Sequence, residues 1–93
     1  MANKSAIRVL IEGRVQGVGY RYWLRGEALQ LGLDGWVRNL RDGRVEAVFS
    51  GSQKALDEIQ RCCHEGPSFA RVDRVAVEAE SAPVEPGFHS LPS

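Results

Sequence analysis

The chain has 93 residues, 43% hydrophobic and 26% charged, which is enough for one compact domain with a single core and too few for two. Twelve Lys and Arg balance twelve Asp and Glu, so no overall positive field draws the protein to nucleic acid or to a membrane surface. The balance is uneven along the chain: residues 1–46 carry a net charge of +3 and residues 47–93 a net charge of −3.

The start Met1-Ala2-Asn3-Lys4-Ser5 lacks the apolar stretch of a signal peptide, and no apolar run approaches membrane-spanning length. Ala6–Glu12 alternates, with Ile7, Val9 and Ile11 on one side and Arg8, Leu10 and Glu12 on the other, which predicts a strand. Gly13-Arg14-Val15-Gln16-Gly17-Val18-Gly19-Tyr20-Arg21 then forms a glycine-punctuated loop. Tyr20, Leu24, Ala28 and Leu31 recur at helical spacing, and Gly32 is a suitable stop. Gly35–Leu40 reads as a short strand with Val37 and Asn39 on one face and Trp36 and Arg38 on the other. Asp42-Gly43 is a strong hairpin signal, and Arg44–Ser50 returns as a third strand. Ser52 is a plausible N-cap for a second helix, whose inner face holds Leu56, Ile59 and Cys63, and Gly66-Pro67 ends it. Val72–Ala79 predicts a fourth strand, 81–87 a proline-bearing loop, and Phe88–Leu91 a short last strand along an edge.

The order is β-α-β-β-α-β with a fifth strand to follow. It predicts an α+β, ferredoxin-like split β-α-β fold: an antiparallel sheet of four to five strands with two helices packed on one face. With no repeat and no long linker, residues 1–93 are expected to form one domain. The architecture by itself supplies no function.

Two stretches carry chemistry. In the glycine loop, missing Cβ atoms let the backbone curl, and successive N–H groups in such a curl converge on an anion. A helix beginning near Arg21 adds free N–H groups and a positive dipole end. The Arg21 guanidinium adds a charged fork that matches two phosphate oxygens. The loop fits neither G-x-x-x-x-G-K-[ST] nor G-x-G-x-x-G, and the alternative is that its glycines only shape a strand-to-helix turn. The second candidate is Asn39. It is either a turn former bonded to nearby backbone or a neutral amide that accepts a hydrogen bond from a water, donates elsewhere and so aims the water.

Gly13–Arg21 followed by Gly35-Trp36-Val37-Arg38-Asn39 resembles the two signatures of the acylphosphatases, small enzymes of this length and element order. Asp42-Gly43-Arg44-Val45-Glu46 and Gly66-Pro67 with Ala70, Val72 and Val75 extend the likeness over nearly the whole chain, while the segment around Phe88 is only loosely similar. The resemblance implies hydrolysis of the carboxyl–phosphate anhydride of a small-molecule acyl phosphate, with inorganic phosphate as product and competitive inhibitor. It implies Arg21 and Asn39 as catalytic residues, and backbone N–H groups of Gln16, Gly17, Val18, Gly19, Tyr20 and Arg21 as the phosphate cradle. It implies no cofactor, no metal, no nucleic acid and no membrane, and a monomer is expected. Neither motif contains His, Asp or Glu, so a phosphate oxygen of the substrate is the expected acceptor for the water's proton.

The remaining residues read as structural. His64 near a helix end and His89 are expected to be solvated, Cys63 to lie in the core and Cys62 to be partly exposed beside it. The adjacent cysteines offer no C-x-x-C spacing, and a reduced, cytoplasmic setting is the simplest account of them. Tyr20, Trp23 and Trp36 read as packing residues rather than a base-stacking platform. Arg25, Arg38 and Arg41 read as solvated charges, one of which could touch the acyl end of a substrate. The competing functions are a non-catalytic phosphate or acyl-phosphate sensor, which would bind without turnover, and RNA binding, disfavoured by the zero net charge.

Overall fold

A computed structural model describes residues 5–92. The chain runs β1 (Ser5–Arg14), α1 (Tyr20–Gln30), β2 (Asp34–Asn39), β3 (Val45–Gly51), α2 (Gln53–Glu65), β4 (Arg71–Ala79) and β5 (Phe88–Ser90). The reading of the start as lacking a signal segment rests on residues 1–4 and lies outside the described residues.

The five strands form one sheet in the order β4-β1-β3-β2-β5. The first four pair antiparallel, as expected, but β5 lies parallel to β2, with Gly35 opposite Phe88 and Val37 opposite Ser90. The direction follows from the connection. β4 ends at Ala79 opposite the start of β1, so loop 80–87 begins at the sheet end where β2 also starts. Gly87 N–H donates to the Asp34 carboxylate and Gly35 N–H to the Gly87 carbonyl, both at 2.9 Å, which delivers β5 beside the start of β2. The Phe88 ring then stacks on Phe49, with centroids 5.4 Å apart, and fixes the strand to the core.

Alternation in the strands sends Val9, Ile11, Val37, Ala47 and Phe49 to one face. There they bury against Leu24 and Ala28 of α1 and Leu56, Ile59 and Cys63 of α2. The helix ends follow from local chemistry. Ser52 Oγ accepts from Ala55 N–H at the start of α2. At the end of α1, Leu33 N–H donates to Ala28 O and Gly32 N–H to Leu29 O, a Schellman closure that needs the left-handed φ of Gly32. Both cysteines are buried, Cys62 included, which lies on the side of α2 that faces Trp23 and Glu27 of α1.

β1 extends beyond its expected end at Glu12. The β1–β4 register slips after Glu12, passing over Asp73, and a Cβ on Gly13 would lie 2.1 Å from the Arg71 carbonyl oxygen. Glycine there lets the two backbones close against each other.

The opposite sheet face carries no helix. Glu46, 3% exposed, sits at its centre and accepts from Arg8 Nε at 2.6 Å and Arg38 Nε at 2.7 Å, while Arg8 also pairs with Glu78. Burial alone would push the Glu46 carboxyl up, but the bonds from Arg38 and Arg8 outweigh it and hold it below its ordinary value. Arg38 is exposed, as expected of a solvated charge, but it is also bound to Glu46 and lies 5.3 Å over the Trp36 ring. Arg25 and Arg41 are exposed, as expected.

Candidate active site

β1 and β2 are both antiparallel to β3, so they point the same way and finish, at Arg14 and Asn39, on the same end of the sheet. The loop from Val15 to Gly19 leaves β1 at that end, and α1 starts there. Topology thus brings together the two motifs that the sequence keeps about twenty residues apart. They share an open pocket of about 200 Å³ lined by Val15, Gly17, Gly19, Tyr20, Arg21, Tyr22 and Asn39.

The loop has the form of a backbone anion nest. Gly17 has φ 72° and Gly19 φ 78°, with Val18 between them at negative φ. Alternation of this kind turns successive N–H groups to the same side. A Cβ at either glycine would meet nothing within 4 Å, so it is the backbone conformation and not crowding that calls for glycine. Gly19 is also the N-cap of α1, and it offers no side-chain oxygen to the first turn. Among the described residues, no backbone or side-chain oxygen of the protein accepts from the backbone N–H groups of residues 16–21. These donors are left for a guest anion.

Arg21 stands in the first turn of α1. Its Nη1 donates to the Leu91 carbonyl at 2.8 Å, and Leu91 N–H in turn donates to Val37 O at 2.8 Å. The carbonyl restrains the guanidinium without neutralising it, and among the described residues no carboxylate pairs with Arg21. Leu91 was not legible as a site residue, because a main-chain acceptor 70 residues away leaves no local signal.

Asn39 is not the hairpin former that its position allows. The β2–β3 turn is closed by Leu40 N–H to Arg44 O at 2.8 Å and by the Asp42 carboxylate accepting from Arg44 N–H. The Asn39 Oδ1 atom is buried and has no hydrogen-bond partner among the described residues. A buried acceptor without a donor costs free energy, on the order of 1–3 kcal/mol, unless a water or ligand satisfies it.

Gln16 has a second role that its backbone assignment did not include. Its side-chain Nε2 donates to Leu40 O at 2.7 Å and Arg44 O at 2.9 Å, tying the loop to the hairpin that follows Asn39. Tyr20 anchors the other side. It is buried, and its hydroxyl donates to Cys63 O at 2.8 Å, which ties the start of α1 to the end of α2. Burial raises the Tyr20 hydroxyl pKa, and burial pushes the Cys63 thiol up to about 12, so neither supplies a proton acceptor at neutral pH. His64 is exposed at the end of α2 and His89 on the helix-free side, both away from the pocket.

Among the described residues, no group of three His, Cys, Asp or Glu side chains is placed to hold a metal ion, and no helix is long and apolar enough to cross a membrane. The arrangement can bind a small tetrahedral anion on backbone N–H groups and one arginine, and can present one neutral acceptor beside it.

Residues 7–90 match the family model described as Acylphosphatase. An acylphosphatase of Rubrobacter xylanophilus is 59% identical over 76 residues, which is 82% of this chain and 69% of that protein. An acylphosphatase of Nitrobacter winogradskyi is 49% identical over 92 residues, covering 92% of this chain and 93% of its own length. The solved structure of an acylphosphatase from Coxiella burnetii superposes with a TM-score of 0.91 at 35% identity, covering 96% of this chain and 94% of that one.

Proposed function

The chain belongs to the acylphosphatase family, hydrolases that act on acyl phosphates, and from that premise we propose how residues 1–93, as one domain, carry out the reaction. The phosphate group sits in the nest formed by the N–H groups of Gln16, Gly17, Val18, Gly19, Tyr20 and Arg21. The Arg21 guanidinium, restrained by the Leu91 carbonyl, completes the cradle over two phosphate oxygens. Asn39 Oδ1 accepts a hydrogen bond from a water and turns a lone pair of that water toward phosphorus.

The water oxygen forms a bond to phosphorus as the bond between phosphorus and the acyl oxygen breaks. The electron pair of that bond leaves on the carboxylate, and the water's proton passes to a phosphate oxygen of the substrate. A carboxylate is a good leaving group, so positioning and charge stabilisation carry the catalysis. Charge that spreads over the equatorial phosphate oxygens meets the N–H groups and Arg21 there. Inorganic phosphate fits the same cradle and inhibits competitively. The proposed setting is the cytoplasm, with the protein a monomer.

One observation supports this reading above the others: backbone N–H donors, an arginine and the Asn39 oxygen that are left without acceptor, carboxylate and donor among the described residues meet in one pocket. The test is release of inorganic phosphate from benzoyl phosphate in EDTA. Rapid turnover inhibited competitively by added phosphate is expected. Binding of phosphate without turnover would make this domain a sensor.

A further inference from the structure

Among the described residues the large apolar side chains left exposed are Tyr22, Leu29, Phe69 and Val77, and of these only Tyr22 lines the pocket just described. The residue is 84% exposed, in a turn where both neighbouring aromatics are occupied: Tyr20 is buried and bonded to Cys63 O, and Trp23 packs on the core. Helix geometry explains the placement. Two residues on from Tyr20 is about 200° around the axis, so a side chain at 22 points away from the core. Helical side chains also tilt toward the N-terminus, and for a residue in the first turn that direction leads over the glycine nest. Tyr22 thus stands at the exposed rim, while the Asn39 Oδ1 atom on the other side of the pocket is buried.

We infer that Tyr22 is the specificity-determining residue for the acyl group, favouring acyl phosphates whose acyl portion has a planar apolar face, aryl groups above all. The inference rests on the acylphosphatase reading. In-line displacement requires the leaving acyl oxygen to lie opposite the attacking water. With the water held at Asn39, the acyl group extends away from Asn39 toward the rim, where the Tyr22 ring is the apolar surface available to it. An acetyl group is too small to cover that ring, whereas a benzoyl ring can stack on it. The nest and Arg21 read only the phosphate, so the two ends of the substrate are recognised by separate groups.

Stacking on a half-solvated ring contributes to ground state and transition state alike, so it appears in KM and not in kcat. The experiment compares benzoyl phosphate with acetyl phosphate for the wild type, Tyr22→Ala and Tyr22→Phe, together with inhibition by inorganic phosphate. The expected result is a KM for benzoyl phosphate raised about five- to tenfold in Tyr22→Ala. The kcat, the KM for acetyl phosphate and the phosphate inhibition constant should be unchanged, and Tyr22→Phe should match the wild type. Equal change for both substrates in Tyr22→Ala, or no change for either, overturns the role of Tyr22 and leaves the acylphosphatase reading standing. If the wild type hydrolyses neither substrate, that reading falls and the inference with it.

Discussion

Two regions of this small sheet hold arginines in opposite states. On the helix-free face, Arg8 and Arg38 both bind Glu46, and every strong donor directed at that carboxylate meets an acceptor. At the strand ends, among the described residues, Arg21 meets one carbonyl and no carboxylate, the loop backbone N–H groups meet no acceptor, and the Asn39 oxygen lacks a donor. The first arrangement is self-contained, and its value is structural. The second presents groups that a guest can satisfy, one with acceptors for the loop and a donor for Asn39. The difference teaches where to look for function in a fold shared by many activities: at the place where polar groups are oriented and left unsatisfied.

The sharpest way to break this comparison is to remove each arginine in turn. Arg21→Ala should lower kcat/KM for benzoyl phosphate by about 10³ or more and weaken phosphate inhibition with it, because the charge acts on substrate and transition state together. Arg38→Ala, by contrast, should leave turnover within about twofold and lower only stability, read by urea titration. A large loss of turnover in Arg38→Ala would erase the distinction between the two regions.

Gln16→Ala tests the join between loop and hairpin. Loss of the bonds to Leu40 O and Arg44 O lets the nest shift relative to Asn39, and kcat is expected to fall about tenfold with thermal stability nearly retained. A variant with wild-type kcat would mean that the loop holds its position without this amide.

Acid should separate the regions by their pH response. The Glu46 carboxyl is held below its ordinary value in the folded protein, so its contribution to stability is present above about pH 4.3 and is lost as the pH falls through the folded value. Glu46→Gln should therefore flatten stability against pH below about 5, and cost about 1–2 kcal/mol at pH 7. That is less than for a fully enclosed pair, since the Arg8 and Arg38 side chains keep 33% and 46% of their exposure. The site should respond least. Between about pH 5 and 7 kcat should stay flat, since neither motif holds a His, Asp or Glu to act as a general base. A fall in kcat following one ionisation near the histidine or glutamate range would require a general base that this account does not contain.

Local chemistry was legible in the sequence. Gly32 and Ser52 end and begin their helices through bonds within five residues, and Asp42-Gly43 marks its turn the same way. The two motifs were legible as stretches, and the split β-α-β order already allowed them to meet. What the sequence could not display were partners set by long-range packing. The parallel direction of β5 depends on where β4 ends, and the hold on Arg21 comes from a backbone carbonyl that any residue at 91 would present. Gln16 was assigned through its N–H while its side chain did the joining. Tyr22 falls off the apolar stripe of α1, so hydropathy patterning does not single it out. That same irregularity, a large aromatic on the outward side of a helix start beside a glycine nest, is the signal that would have found it.

The most direct test of the central claim is Asn39→Ala, measured for both kcat and phosphate inhibition. If Arg21 and the loop hold the phosphate while Asn39 only orients the water, kcat falls by about 10² or more and the phosphate inhibition constant stays within about twofold. Near-normal kcat, or kcat and phosphate affinity falling together, would contradict that division of labour.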